Sequence, residues 1–241
     1  MEATEKTAPP ARRRFYLVRH GEVSYFDAQG RPYRPRTVPL NAEGRVQAEV
    51  AARELARIPI DRVVSSDLPR CVETASILAS GRGGLHLETH TELREIQPGR
   101  LSSLPVDAVQ HSFLGAFSSG FNRETRFLGG ETFGSLVDRV LGCFQKLIAE
   151  PSWRHLLIVA HGGVNRVLLS HVLSGDLHSF ATLEQDAGCI NVIDVDGADK
   201  FLVRLVNYTP YNTLKAGLET TTMERLYQQY RPQGTTAIPP R

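Results

Sequence analysis

The sequence lacks any apolar run long enough to span a bilayer, since each of its short hydrophobic stretches is soon broken by charged residues. It has little cysteine: Cys71, Cys143 and Cys189 are far apart, with no Cys-x-x-Cys and no Cys/His spacing suited to a metal. Each lies in an apolar-periodic or strand-like stretch, so the three read as small buried hydrophobes, and scattered cysteines fit a reducing compartment. Charge of one sign is also lacking. The formal net charge is only +2, so no global basic field points to nucleic acid. There is no internal repeat and no low-complexity block. These absences leave a cytoplasmic protein with no nucleic-acid partner, no membrane association and no metal as the expectation.

What remains is an ordinary globular composition. The chain has 241 residues, 41% hydrophobic and 22% charged, enough to bury a sizeable core without disulfides. Residues 1–14 are polar, contain Pro9 and Pro10 and end in three arginines, which predicts a flexible leader. The run Phe15-Tyr16-Leu17-Val18 predicts a buried strand. Asn41 is a candidate N-cap for a helix to about Arg57, with Val46, Val50 and Leu55 at helical spacing. Residues 62–64 predict a strand. A helix follows with Pro69 in its first turn and Val72, Ala75, Ile77 and Leu78 inward. Residues 85–87 predict a third strand.

Further on, Val106, Val109, Phe113, Leu114 and Phe117 suggest a helical excursion within an insertion at about 97–128. The clearest helix opens at Gly129-Gly130-Glu131-Thr132, with Phe133, Leu136, Val137, Val140, Leu141, Phe144, Leu147 and Ile148 tracing one stripe. Residues 156–160 predict a strand running straight into His161-Gly162-Gly163 and a helix to Leu173. Residues 189–195 and 201–206 predict late strands, paired as a hairpin across Asp196-Gly197. Residues 218–230 predict a last helix within a C-terminal extension, 213–241, which is a candidate homodimer interface. Alternating strands and helices predict an α/β three-layer sandwich with a largely parallel central sheet, helices on both faces and a small helical insertion. The main domain is expected over 15–212.

In such sheets ligands gather beyond the carboxyl ends of the strands. Two predicted strands here end in histidine-glycine pairs, His20-Gly21 and His161-Gly162. Arg19 precedes the first. Glycine permits a tight turn and close approach of backbone to a ligand. The second pair opens a helix, whose free amides favour an anion. Ser65-Ser66-Asp67-Leu68-Pro69-Arg70 leads from a strand into a helix carrying an arginine in its first turn. Taken singly each group has a bland reading, a core histidine or a solvated arginine. Taken together they sit at comparable points of one architecture.

Six segments in order resemble the histidine phosphatase superfamily, the branch that includes cofactor-dependent phosphoglycerate mutases. They are residues 17–22, Leu40-Asn41-Ala42-Glu43-Gly44 with Gln47-Ala48, residues 65–75, Leu93-Arg94-Glu95-Ile96, residues 129–132 and residues 160–164. The resemblance covers roughly 15–208. It implies that His20 is the nucleophile that becomes phosphohistidine. It implies that Arg19 and Arg70 clamp the phosphoryl oxygens, that His161 is the second histidine of the phosphate pocket beside the amides at Gly162, and that Glu95 is the general acid. Chemistry agrees: phosphoryl transfer needs cations and positioning, guanidinium forks fit phosphoryl oxygens, and a neutral imidazole is a competent nucleophile. The other ring nitrogen of His20 should then donate to a backbone carbonyl. Glu22 reads as an orienting group rather than a reacting one. No cofactor is implied.

The sequence departs from the family at Phe26, where relatives often carry a polar residue that touches the phosphate. Ser24, Asp27 and Thr37 are candidate substitutes. Arg31, Arg34 and Arg36 form either a wall that recognises a second anionic group or a solvated loop. A basic signature that follows the acid in phosphoglycerate mutases is absent after Glu95, which favours hydrolysis. The expectation is a metal-independent phosphomonoester hydrolase acting on a small phosphorylated substrate. The alternatives are mutase-type phosphoryl transfer, hydrolysis of phosphoprotein, or a phospho-ligand-binding regulatory protein with weak catalysis. The excursion around Phe113, Phe117 and Phe121 is either a lid or a packed insertion.

Overall fold

The computed structural model describes residues 12–100, 105, 109, 110, 113, 115 and 122–230. Six strands form one sheet: β1 Arg13–Arg19, β2 Arg62–Ser66, β3 Leu87–His90, β4 His155–Ala160, β5 Ile190–Asp196 and β6 Lys200–Tyr208. Their order is β3-β2-β4-β1-β5-β6. β3, β2, β4 and β1 run parallel; β5 runs antiparallel to β1 and pairs with β6 in the expected hairpin. Gly197 turns that hairpin at φ +68°.

Both faces of the sheet are covered, which is why β1 and β4 read as unbroken apolar runs rather than alternating ones. Phe15 and Leu17 point to one side, into a large cluster with Ile158 and Ala160. There they meet α3 (Phe133–Ala149) and α4 (Gly162–Ser174). Tyr16 and Val18 point to the other, against α1 (Ala42–Leu55) and α2 (Pro69–Ala79). The C-terminal helix α5, Thr222–Gln229, packs Met223 and Leu226 onto the large cluster. Thr221 caps it reciprocally with Glu224, so the helix starts later than residue 218.

Local signals account for the helix starts. Asn41 Oδ1 accepts from Gly44 N at 2.8 Å, and Thr132 Oγ1 accepts from Ser135 N at 3.1 Å. The inner face of two helices differs in part from the sequence reading. Val46 is 51% exposed, and α1 instead buries Gly44, Gln47, Ala48, Ala51 and Leu55. This small-residue face lets α1 lie close to α2, and Gln47 Oε1 accepts from Glu22 N. In α2 the inward residues are Arg70, Cys71, Thr74, Ala75 and Leu78, while Val72 and Ile77 are half-buried. Apolar periodicity places Leu55, Ala75 and Leu78 correctly on the inner faces, while Gln47 and Thr74, which bond the loop after β1, take other inner positions. α1 also stops at Leu55 rather than Arg57, and β3 begins at Leu87, the first residue that pairs with β2.

Of the predicted excursion, Val109 and Phe113 are buried in the large cluster. Val106, Leu114, Phe117, Phe121, the leader up to residue 11 and the tail from residue 231 lie outside the described residues. Phe144 sits centrally in the large cluster, 1% exposed, its ring 4.9 Å from Phe15 and 5.9 Å from Phe201. We expect Phe144→Ala to lower stability by about 3–5 kcal/mol through lost burial and an unfilled cavity, read as a lower urea midpoint with unchanged slope.

Candidate active site

The parallel ladder pairs Arg19 with Ala160 and Ser65 with Val159. His20 and His161 therefore leave the sheet at one height, with Ser66 at the end of β2 beside them. His20 N donates to Ala160 O at 3.0 Å, and the His20 and His161 rings meet edge to face with centroids 5.1 Å apart. His20 is 2% exposed and His161 fully buried.

The ring of His20 is held at both nitrogens. Nδ1 lies 2.7 Å from Gly21 O, to which it can only donate, and Nε2 accepts from Arg70 Nε at 3.2 Å. The backbone acceptor expected from the sequence is thus Gly21's own carbonyl. Its position depends on glycine: a Cβ at Gly21 would collide with Gly44 O, and one at Gly44 with Glu22 O, where the loop crosses the start of α1. Burial, then the charges of Arg70 and Arg19, holds the His20 imidazole well below its ordinary pKa of 6.5. His161 is lowered likewise, by burial first and then by Arg70, His20 and Arg19. His161 Nε2 lies 2.9 Å from Ser66 Oγ and 3.4 Å from Cys71 Sγ. Burial pushes the Cys71 thiol up to about 12, so it stays protonated and acts as packing.

Arg70, at the start of α2, is 2% exposed; its Nη1 donates to Pro35 O at 2.7 Å and its guanidinium lies 5.6 Å from the Tyr25 ring. Arg19 Nη1 donates to Gln185 O at 2.5 Å and to Thr222 Oγ1 at 3.2 Å. Its Nε has no hydrogen-bond partner among the described residues and stands beside Gly162, the first residue of α4. Neither arginine has a carboxylate within ion-pair distance among the described residues.

Glu95 Oε2 accepts from Gly163 N at 3.0 Å and Oε1 from Ile96 N at 2.9 Å. A Cβ at Gly163 would collide with Glu95 Oε1. The second glycine of His161-Gly162-Gly163 is therefore a space made for the carboxylate, a role the sequence reading assigned to neither glycine. The loop carrying Glu95 is stapled from α3: Arg139 donates to the carbonyls of Glu92 and Arg94 at 2.6 Å and of Glu95 at 3.2 Å. Glu131 holds Arg139 in turn, at 2.8 and 3.0 Å, and also accepts from Gln97 N. Glu131 belongs to the Gly-Gly-Glu-Thr segment, whereas nothing in the sequence marks Arg139. Behind Arg19, Gln185 is fixed through its Oε1 by Asn165 and Asn191, all buried; none of these was expected.

A cleft of about 700 Å³ opens from Arg19 and Arg70 past Glu95. Phe26, Arg34 and Arg36 line it. Arg31 does not; it turns away to pair with Asp27 at 2.7 Å. None of the suggested substitutes for a polar group at Phe26 reaches the cleft. Ser24 and Thr37 line a separate groove beside Asn41, and Asp27 is occupied by Arg31 and local backbone amides. Glu22 is exposed, with Oε1 3.4 Å from Asn41 Nδ2, and stands outside the cleft. No group of three His, Cys, Asp or Glu side chains among the described residues could hold a metal ion, and no described helix is long and apolar enough to cross a membrane.

Comparison with known proteins accords with this arrangement. Residues 15–208 match the model of the histidine phosphatase superfamily, branch 1. Phosphoglycerate mutase-like protein 4 of Arabidopsis thaliana is 35% identical over 63% of the chain and 67% of the relative. A probable phosphoglycerate mutase, GpmB, of Salmonella paratyphi A is 32% identical over 66% of the chain and 74% of the relative. The crystal structure of the α-ribazole phosphatase of Shigella flexneri superposes with a TM-score of 0.68 at 25% identity, covering 81% of this chain and 96% of that one. With its family model matched across both histidine-glycine strand ends, the chain belongs to branch 1 of the histidine phosphatase superfamily.

Proposed function

We propose that the protein is a phosphomonoester hydrolase that works through a phosphohistidine on His20 and needs no metal. The observation that carries this reading is the setting of the His20 ring. Its Nδ1 proton is committed to Gly21 O, and its Nε2 lone pair is turned toward Arg70 in a buried site where the imidazole stays neutral.

In the first step Nε2 attacks phosphorus, the P–N bond forms and the ester P–O bond breaks. Arg70 Nε releases Nε2 and, with Arg19 Nε and the amide of Gly162 at the start of α4, bonds the three equatorial oxygens. His161, held by Ser66, adds a neutral polar group on the same side. Glu95 gives a proton to the departing alkoxide. In the second step Glu95 takes a proton from water as the water oxygen attacks phosphorus, and the P–N electron pair returns to Nε2. The substrate is a small organic phosphate. The α-ribazole phosphatase likeness supports hydrolysis. The mutase-like names of the relatives in Arabidopsis and Salmonella favour phosphoryl transfer as a second reading. Free phosphate measured against isomerised product separates the two.

Acid-quenched reactions with a radiolabelled phosphomonoester should leave label on histidine in the wild type and none in His20→Ala, whose turnover should fall to background. Substantial turnover in that variant would remove the central claim. Gly163→Ala should lower kcat about tenfold to a hundredfold by displacing Glu95. The loss should be larger for alkyl than for nitrophenyl phosphate, since a poor leaving group depends on the acid, and an equal loss for both would contradict the role of Glu95. Because both site histidines are shifted downward, their nitrogen NMR signals should remain those of neutral rings at about pH 5.5, where an ordinary imidazole is mostly protonated.

A further inference from the structure

The cleft has two chemically different ends. At its floor are the guanidinium groups of Arg19 and Arg70 and the carboxylate of Glu95; beyond them its walls include Tyr25, Phe26, Phe113, Leu128, Met223 and Leu226, with Arg34, Arg36, Arg94 and Arg100 among the polar residues of the lining. At about 700 Å³ it falls in the range of roughly 300–1,000 Å³ that holds whole organic ligands, far more than a phosphoryl group fills. Met223 and Leu226 come from α5, which lies beyond the segment 15–208 matched by the family model. The helix is fixed over the site. Thr222 Oγ1 donates to Glu184 at 2.8 Å while accepting from Arg19, and Arg225 reaches Asp186 at 3.3 Å.

The polar side chains that reach this outer cleft are mostly committed to one another. Arg94 is paired with Asp67, Glu131 with Arg139, and Arg36 with Gln97. Arg34 is exposed at the rim, in water. The hydroxyls of a polyol phosphate would lose water here and find few partners, an unfavourable exchange for any buried polar group. An apolar alcohol loses nothing of that kind and removes the aromatic and aliphatic wall from water.

We propose, building on the phosphatase reading above, that the substrates are phosphomonoesters of hydrophobic alcohols, and that Met223 and Leu226 of α5 form the leaving-group wall. The phosphate enters between Arg19 and Arg70, and the apolar body lies along Phe26 and α5. Phe26 then serves as part of the recognition surface.

The test uses the full chain and three substrates with alkoxide leaving groups, so that the chemistry of the leaving oxygen stays comparable: 3-phenylpropyl phosphate, glycerol 3-phosphate and 3-phosphoglycerate. The kcat/KM for phenylpropyl phosphate should exceed that of either polar ester by about tenfold or more, and that ratio should fall at least about fivefold in Leu226→Asp. Met223→Ser, a milder change, repeats the measurement in case the aspartate variant does not fold. A ratio at or below one with clear turnover overturns the hydrophobic assignment and leaves the phosphatase reading standing. A ratio unchanged in both folded variants overturns the role of α5. Turnover of none of the three, with no label on His20, overturns the phosphatase reading and this inference with it.

Discussion

In the β1–β4 ladder Arg19 stands opposite Ala160, so the chain leaves both strands at the same height. Parallel pairing is what makes this useful. Two antiparallel neighbours would deliver their loops to opposite ends of the sheet, whereas parallel ones deliver His20 and His161 side by side. A slip of one residue would reverse the faces of Phe15, Leu17, Tyr16 and Val18 in two separate cores, which is a large penalty. The packing of the sheet thereby fixes the distance between the histidines, and the site needs no local device to hold them together.

Glu95 has no such support from the sheet, since it lies in a loop after the single 3-10 turn Thr91–Leu93. Its position comes from Arg139, which binds the carbonyl groups of Glu92, Arg94 and Glu95, and from Glu131, which fixes Arg139. A half-buried arginine meeting both a carboxylate and several carbonyls satisfies its donors in a fixed planar geometry, which a lysine would not reproduce. Gly163 completes the arrangement by leaving space on the helix side.

These relations explain what could be read from sequence. The strand order of the chemistry, Arg19-His20, Ser65 to Arg70 and His161-Gly162, was legible because each group is adjacent in sequence to the strand that positions it. The alternation of strands and helices was legible for the same local reason. The inner faces of α1 and α2 were legible only in part, at Leu55, Ala75 and Leu78. Elsewhere on them Gln47 and Thr74 serve the loop after β1, so burial follows hydrogen bonding to that loop rather than hydropathy. Arg139 was invisible because the carbonyl groups it binds lie more than forty residues earlier in the chain. Arg31, Arg34 and Arg36 looked equivalent as a run, and only the turn closed by Asp27 separates Arg31 from the cleft.

The treatment of charge ties the site together. Several arginines around the site have carboxylate partners: Arg94 has Asp67, Arg139 has Glu131, and Arg166 has Glu184. Arg19 and Arg70 are anchored instead by the carbonyls of Gln185 and Pro35. A carbonyl orients a guanidinium through its dipole but leaves the net charge in place, whereas a carboxylate would cancel it. The site therefore sets two guanidinium charges without a directly paired carboxylate against buried neutral rings. That arrangement is costly for an empty pocket and favourable once a dianion enters, and after burial, the larger cause, it lowers both histidines in the direction that keeps Nε2 of His20 unprotonated. The charges that bind a phosphate thus act in the same direction as burial in keeping the nucleophile unprotonated.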